Sequence, residues 1–139
     1  MKRFRGALAA SLMALVALGL GGVAYVDAAE EEEDKAVIEG EMVDMKCWVS
    51  MNMPGGGKHN KCAIACAKKG IPAGVVDSRT GQIFTILLPA PGLAQYMGKT
   101  VRITGSLAAK STAIVPDEDG LEVKEGDKWV KAELPEGMM

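Results

Sequence analysis

The side chains able to do chemistry fall in one short window: Cys47, His59, Cys62 and Cys66, spaced Cys-x11-His-x2-Cys-x3-Cys. Thiolate sulfur and imidazole nitrogen are soft or borderline donors, and a Cys3His set is a normal tetrahedral complement for zinc. Met45, Met51 and Met53 flank Cys47 and are candidates for additional ligands. Their thioether sulfurs would select copper(I) over zinc. The expected cofactor is therefore a copper or zinc ion at Cys47, His59, Cys62 and Cys66. The same cysteines admit two other chemistries. A disulfide from Cys47 to Cys62 or Cys66 would staple the intervening loop, but would leave one thiol over. Thiol redox catalysis is the third, although Cys-x3-Cys lacks the Cys-x2-Cys spacing of thioredoxin-type sites. The chain carries no Cys-x-x-Cys-His, so covalent haem attachment is not indicated. His59 is the only histidine, which rules out a Ser-His-Asp triad away from this window.

These residues need elements to bring them together. Val37 through Val43 to Cys47 is an apolar stretch bracketed by glycine and charge, and reads as a first strand ending at Cys47. Asn52 to Asn60, with Pro54-Gly55-Gly56-Gly57, reads as a flexible loop. Asn60 reads as the N-cap of a short helix over Lys61 to Lys69, closed by Gly70 and Pro72. On that helix Cys62 and Cys66 share a face. Cys62 would sit in its first turn, where free N–H groups and nearby Lys58 and Lys61 favour a thiolate. Further on, Ala73 to Val76 and Gln82 to Leu88 read as a hairpin, and Leu93 to Met97 as a helical turn closed by Gly98. Thr100 to Leu107 alternates with Val101 and Ile103 on one side. Ala113 to Val115, Leu121 to Lys124 and Lys128 to Val130 could each supply another short strand. The fold class expected is mostly β: a small OB-like barrel of five to six short strands with one short Cys-bearing helix.

The first residues determine where such a site works. Lys2, Arg3 and Arg5 precede an uncharged run from Gly6 to Val26, the pattern of a secretory signal forming an apolar export helix. Val26-Asp27-Ala28 puts small side chains where a peptidase would read them, so cleavage is expected after Ala28. The run also approaches the ~20 residues that span a bilayer, so an uncleaved anchor is the alternative. Arg3 and Arg5 are not adjacent, and no cysteine stands near the cleavage point, which excludes twin-arginine and lipoprotein signals. The expected organisation is a signal peptide or anchor over 1–28, an acidic linker over 29–35, an OB-like domain over 36–132 and a disordered tail over 133–139. The domain is expected outside the cytoplasm, periplasmic or extracellular, or held at a membrane through the N-terminal segment if that stays uncleaved.

Losing Lys2, Arg3, Arg5 and Asp27 with the leader takes 16 basic and 18 acidic side chains to thirteen and seventeen, near −4. Such a balance argues against general nucleic-acid binding, which needs a basic surface to displace counterions. Two Trp, two Tyr and two Phe are too few for base-stacking platforms. The expected partner is a membrane or periplasmic protein. The charge is uneven: Glu30 to Asp34 and Asp117 to Asp127 are acidic, whereas Lys46, Lys58, Lys61, Lys68 and Lys69 surround the cysteines.

The motifs also carry a resemblance. Val43-Asp44-Met45-Lys46-Cys47, His59-Asn60-Lys61-Cys62-Ala63-Ile64-Ala65-Cys66 and Gly70-Ile71-Pro72 follow a Val-Asp-x-x-Cys, His-x-x-Cys-Ala-x-x-Cys, Gly-x-Pro layout. With Gly98 to Gly105 as a later Gly-x-x-Val-x-x-x-Gly, the chain resembles a group of small, uncharacterised exported bacterial proteins over roughly Gly40 to Gly105. The resemblance implies an exported OB-like domain with a Cys/His cluster, and implies no activity. The function expected is an exported, non-enzymatic metal-binding protein concerned with metal handling or delivery. The alternatives are a disulfide-stapled accessory domain of a periplasmic or membrane-associated complex, and a thiol oxidoreductase.

Overall fold

The computed structural model describes residues 35–108 and 111–138, all within one compact unit that spans Glu31–Met139. The expected export helix over 1–28 and nearly all of the acidic linker lie outside the described residues. Among the described residues, no helix is long and apolar enough to cross a membrane.

The domain is mostly β. Its strands are β1 (Lys35–Asp44), β2 (Ala73–Asp77), β3 (Ile83–Ile86), β4 (Thr100–Leu107), β5 (Ala113–Glu125) and β6 (Lys128–Lys131). They form one six-stranded sheet in the order β3-β2-β1-β4-β5-β6, with neighbours antiparallel. At the far edge β3 takes a further partner, pairing in parallel with β5 through Thr85–Ala113 and Ile86–Ile114. The short helices are α1 (Met45–Met51), α2 (Asn60–Lys68) and α3 (Ala90–Leu93), with single 3₁₀ turns at Gly57–His59 and Ala94–Tyr96.

The period-2 alternation of a strand decides what β1 buries. Ile38, Gly40, Met42 and Asp44 share one parity and all face inward, whereas Glu39 and Glu41 are half-exposed. Ile38 and Met42 meet Val75, Ile86, Leu93, Met97, Val101, Ile103, Ile114 and Leu121 in a single core. Gly40 has no room for a side chain, because a Cβ there would strike the Val76 carbonyl across the β1–β2 pair. The same inward parity carries Asp44 to the end of β1, where its carboxylate is buried.

Several elements stand close to their expected places, β4 and the β2–β3 hairpin above all. Asp77 anchors that hairpin: its carboxylate accepts the Arg79 N–H at 2.8 Å, which holds its pKa below the ordinary 3.8. Other elements differ. The two short strands expected at Ala113 and Leu121 are one 13-residue strand, β5, whose register against β4 shifts between Ile103 and Gly105. A bulge of this kind bends a strand without ending it. The first strand stops at Asp44, and Cys47 lies on α1, so the cysteines ride on two helices where one was expected.

Candidate metal centre

Each cysteine is placed by local structure that the neighbouring residues dictate. Asp44 leaves β1 in an extended conformation, and its carboxylate accepts the Cys47 N–H at 2.9 Å, which is the N-cap geometry that starts α1. Asn52 ends the helix in the left-handed region (φ 51°), a conformation asparagine tolerates better than most residues. Cys47 therefore sits in the first turn of α1 and is buried. On α2, Ala63 and Ala67 form a fully buried stripe whose small side chains let the helix lie close to the core. Cys62 and Cys66 form the adjacent i, i+4 row, with Cys62 exposed and Cys66 half-buried.

Backbone bonds tie the two helices together. Ile71 N–H donates to the Cys66 carbonyl at 3.1 Å, and the next carbonyl, of Pro72, accepts the Met45 N–H at 2.9 Å. The segment that closes α2 thus docks onto the start of α1. On the other side, the glycine run is packed rather than loose. Gly55 is buried against Met42 and Gly98, and Gly56 N–H donates to a Glu41 carboxylate oxygen at 2.8 Å. Gly98 N–H donates to the Met42 carbonyl at 2.7 Å. Asn60, expected to cap α2 through its side chain, does something else. The cap position is His59, and the Asn60 carboxamide donates to the carbonyls of Gly55 at 3.2 Å and Met97 at 2.6 Å. It clamps the loop to the segment before β4. Asn60→Ala should cost about 1–3 kcal/mol, since it leaves partly buried carbonyls without partners. Chemical denaturation would read this as a lower midpoint with an unchanged slope.

The outcome is a cluster in which the sulfurs of Cys47, Cys62 and Cys66 all lie within 4.8 Å of one another. The Cys47 and Cys62 sulfurs are 3.9 Å apart. Two sulfurs ~2.3 Å from one ion stand ~3.5–4 Å apart at ordinary bond angles, so that pair already has the spacing of co-ligands. A disulfide needs ~2.05 Å, and all three cysteines are free thiols. The disulfide-stapled alternative is not the state this structure holds.

The other expected ligands take different places. His59 offers no nitrogen within that distance of all three sulfurs, but its Nδ1 is buried with no hydrogen-bond partner. The Met45 sulfur packs over Gly74 of β2, where a Cβ would come within 2.6 Å of it. Met53 is half-buried, its N–H donating to the Cys47 carbonyl at 3.3 Å, and Met51 is exposed.

One residue of the site escaped the sequence reading. Asp44 is 1 % exposed and stands beside the thiols, where it helps push both Cys47 and Cys66 upward. Its signal was present: an aspartate three residues before Cys47, at the N-cap spacing. The Cys47 thiol is pushed up to about 12, first by burial and then by hydrogen bonding to Asp44 and Cys62. Cys66 is raised by burial and by the Asp44 charge. At these two positions burial and the neighbouring Asp44 carboxylate hold the thiols in their protonated form.

Protons and metal must then compete. A metal held here would displace the protons of Cys47 and Cys66, so its affinity would fall as pH falls. Calorimetry in buffers of different ionisation enthalpy should report at least two protons released per ion at neutral pH. A buffer-independent heat would contradict this. The metal-free protein has the opposite dependence. Thiols that ionise near 9.0 when unfolded but later when folded leave stability intact below pH 9, and stability declines as pH rises towards 12.

Comparison of the chain with known protein families, curated proteins and solved structures finds no match. The site thus defines a class by its chemistry alone: a small, mostly β domain presenting a three-thiol cluster compatible with metal binding.

Proposed function

We propose that this chain is an exported, non-enzymatic metal-binding protein of the group its motifs resemble, with one copper or zinc ion at Cys47, Cys62 and Cys66. For an ion that demands four ligands, His59 supplies the fourth. The observation that carries this reading is the meeting of three free thiols from two helices within 4.8 Å. Unligated, such a cluster gathers buried groups that resist ionisation beside a buried carboxylate, and a cation is the partner that satisfies them. Burial raises the thiols of Cys47 and Cys66, which speaks against either as the attacking cysteine of an oxidoreductase.

In this proposal the domain is an OB-like barrel. The pairings run β1-β2-β3-β5-β4 and back to β1, and the parallel β3–β5 contact supports closure. The cysteines then lie on the long connection between β1 and β2, a position that OB-type domains use for ligands. Export rests on the leader pattern of residues 1–28. The exposed Cys62, with Lys46, Lys58, Lys61, Lys68 and Lys69 exposed around it, suits handover of the ion to a membrane or periplasmic protein.

Native mass spectrometry of the exported protein, purified without added metal or chelator, tests the reading. The expected species is the chain plus one metal ion, less the displaced protons. A chain two protons light, carrying a disulfide, would overturn it, as would a reduced chain that takes up neither copper nor zinc when offered both.

A further inference from the structure

Resting on that metal-binding reading, we infer that the ion is copper(I), held by the sulfurs of Cys47, Cys62 and Cys66 alone in a three-coordinate site. The number of donors points to this ion. Structural zinc is four-coordinate and closed, so it needs a fourth protein ligand at this point. Among the described residues, no other histidine, aspartate or glutamate offers an atom within 4.8 Å of all three sulfurs. Asp44 is occupied as the cap of α1, where its carboxylate accepts the Cys47 N–H at 2.9 Å. His59 belongs to the 3₁₀ turn before α2, and its backbone N–H donates to the Gly56 carbonyl at 3.3 Å.

The second step is donor type. Every ligand present is a cysteine sulfur, a soft donor that suits copper(I) as well as zinc, so the number of donors decides between them. The methionines stay outside the cluster: the Met45 sulfur packs over Gly74, and Met51 is exposed. Copper(I) imposes no demand for four ligands, so the three sulfurs suffice as they stand. The third step is burial. Cys47 is 3 % exposed and Cys66 half-buried, which keeps competing water ligands from all but the Cys62 side.

Zinc at a Cys3His site predicts a different behaviour for one variant, His59→Ala. The reduced full-length protein, wild type and variant, is titrated anaerobically with copper(I) and separately with zinc, each against a chromogenic chelator. The expected result is one tightly held copper(I) in wild type, with His59→Ala weakening it by less than about tenfold, below the 10–100-fold that losing an outer residue costs. Cys66→Ser should weaken it by more than about a hundredfold, beyond that scale. Tight zinc without comparable copper(I), or a His59→Ala loss as large as that of Cys66→Ser, would overturn the three-coordinate copper assignment and leave the metal-binding reading intact. Failure of wild type to hold either ion would overturn both. The wild-type comparison decides between the ions even where a variant folds poorly.

Discussion

Replacing Cys47 with serine should abolish tight metal binding while leaving the domain folded. Cys47 supplies the one ligand that does not come from α2, so without it only the i, i+4 pair Cys62 and Cys66 remains. Serine oxygen is a hard donor and a poor substitute for thiolate with copper or zinc. The expected loss exceeds the 10–100-fold that removal of an outer residue costs. The fold should tolerate the change well. The hydroxyl is slightly smaller than the thiol, it can donate to the Asp44 carboxylate already at that position, and the N–H that Asp44 caps is unaltered. Chelator competition, with far-UV circular dichroism as the control, reads both halves of this expectation. An unchanged affinity would mean that the ion is bound elsewhere.

Gly55→Ala should produce a large loss of stability, from a residue far less conspicuous than the cysteines. A Cβ at Gly55 would strike the Met42 carbonyl oxygen and come within 2.9 Å of the Gly98 nitrogen. Those two atoms are bonded to each other at 2.7 Å, so the methyl group must prise open the bridge between the end of β1 and the turn before β4. Overpacking costs about 1–3 kcal/mol and a lost hydrogen bond about 1 more, giving ~2–4 kcal/mol. In a domain of this size that lowers Tm by roughly 10–20 °C. Gly57, two residues on, is the control. It has a left-handed backbone (φ +58°) but nothing within 4 Å, so Gly57→Ala should cost only about 1–2 kcal/mol of backbone strain. Because the Gly55 contact also seats α2, Gly55→Ala should weaken metal binding as well. Equal melting temperatures for the two variants would contradict the packing argument.

What could be read from the residues was what depends on short-range pattern. The alternation of Thr100 to Leu107 appears as β4, and the turn chemistry of Asp77 to Gly81 joins β2 to β3. The Cys62–Cys66 spacing places both thiols along one side of α2, next to Cys47. The misreadings have a common cause in contacts made far along the chain. Helix α1 is seven residues long, too short for a periodic signal, and its start depends on a side chain belonging to the preceding strand. Asn60 has the chemistry of a cap, yet its carboxamide reaches Met97, 37 residues away. Three consecutive glycines suggested freedom, whereas Gly55 and Gly56 serve close approach to Gly98. Asp44 is buried because β1 alternates and because the cluster lies where β1 ends, and only the first of those facts is local.

The raised thiols change what a cysteine cluster of this kind requires. Cys47 and Cys66 hold their protons until a cation takes their place. Under the proposed function, binding would be an exchange of protons for metal at a site whose three sulfurs already stand close together. Acidification should release the ion, and the exposed Cys62 is the ligand an acceptor can reach first.

X-ray absorption at the edge of the metal that the protein retains tests the central claim most directly. Three thiols acting on one ion predict a first shell dominated by sulfur, with three scatterers at about 2.2–2.3 Å in wild type and fewer in Cys47→Ser. A first shell of oxygen and nitrogen alone, unchanged by Cys47→Ser, would contradict it.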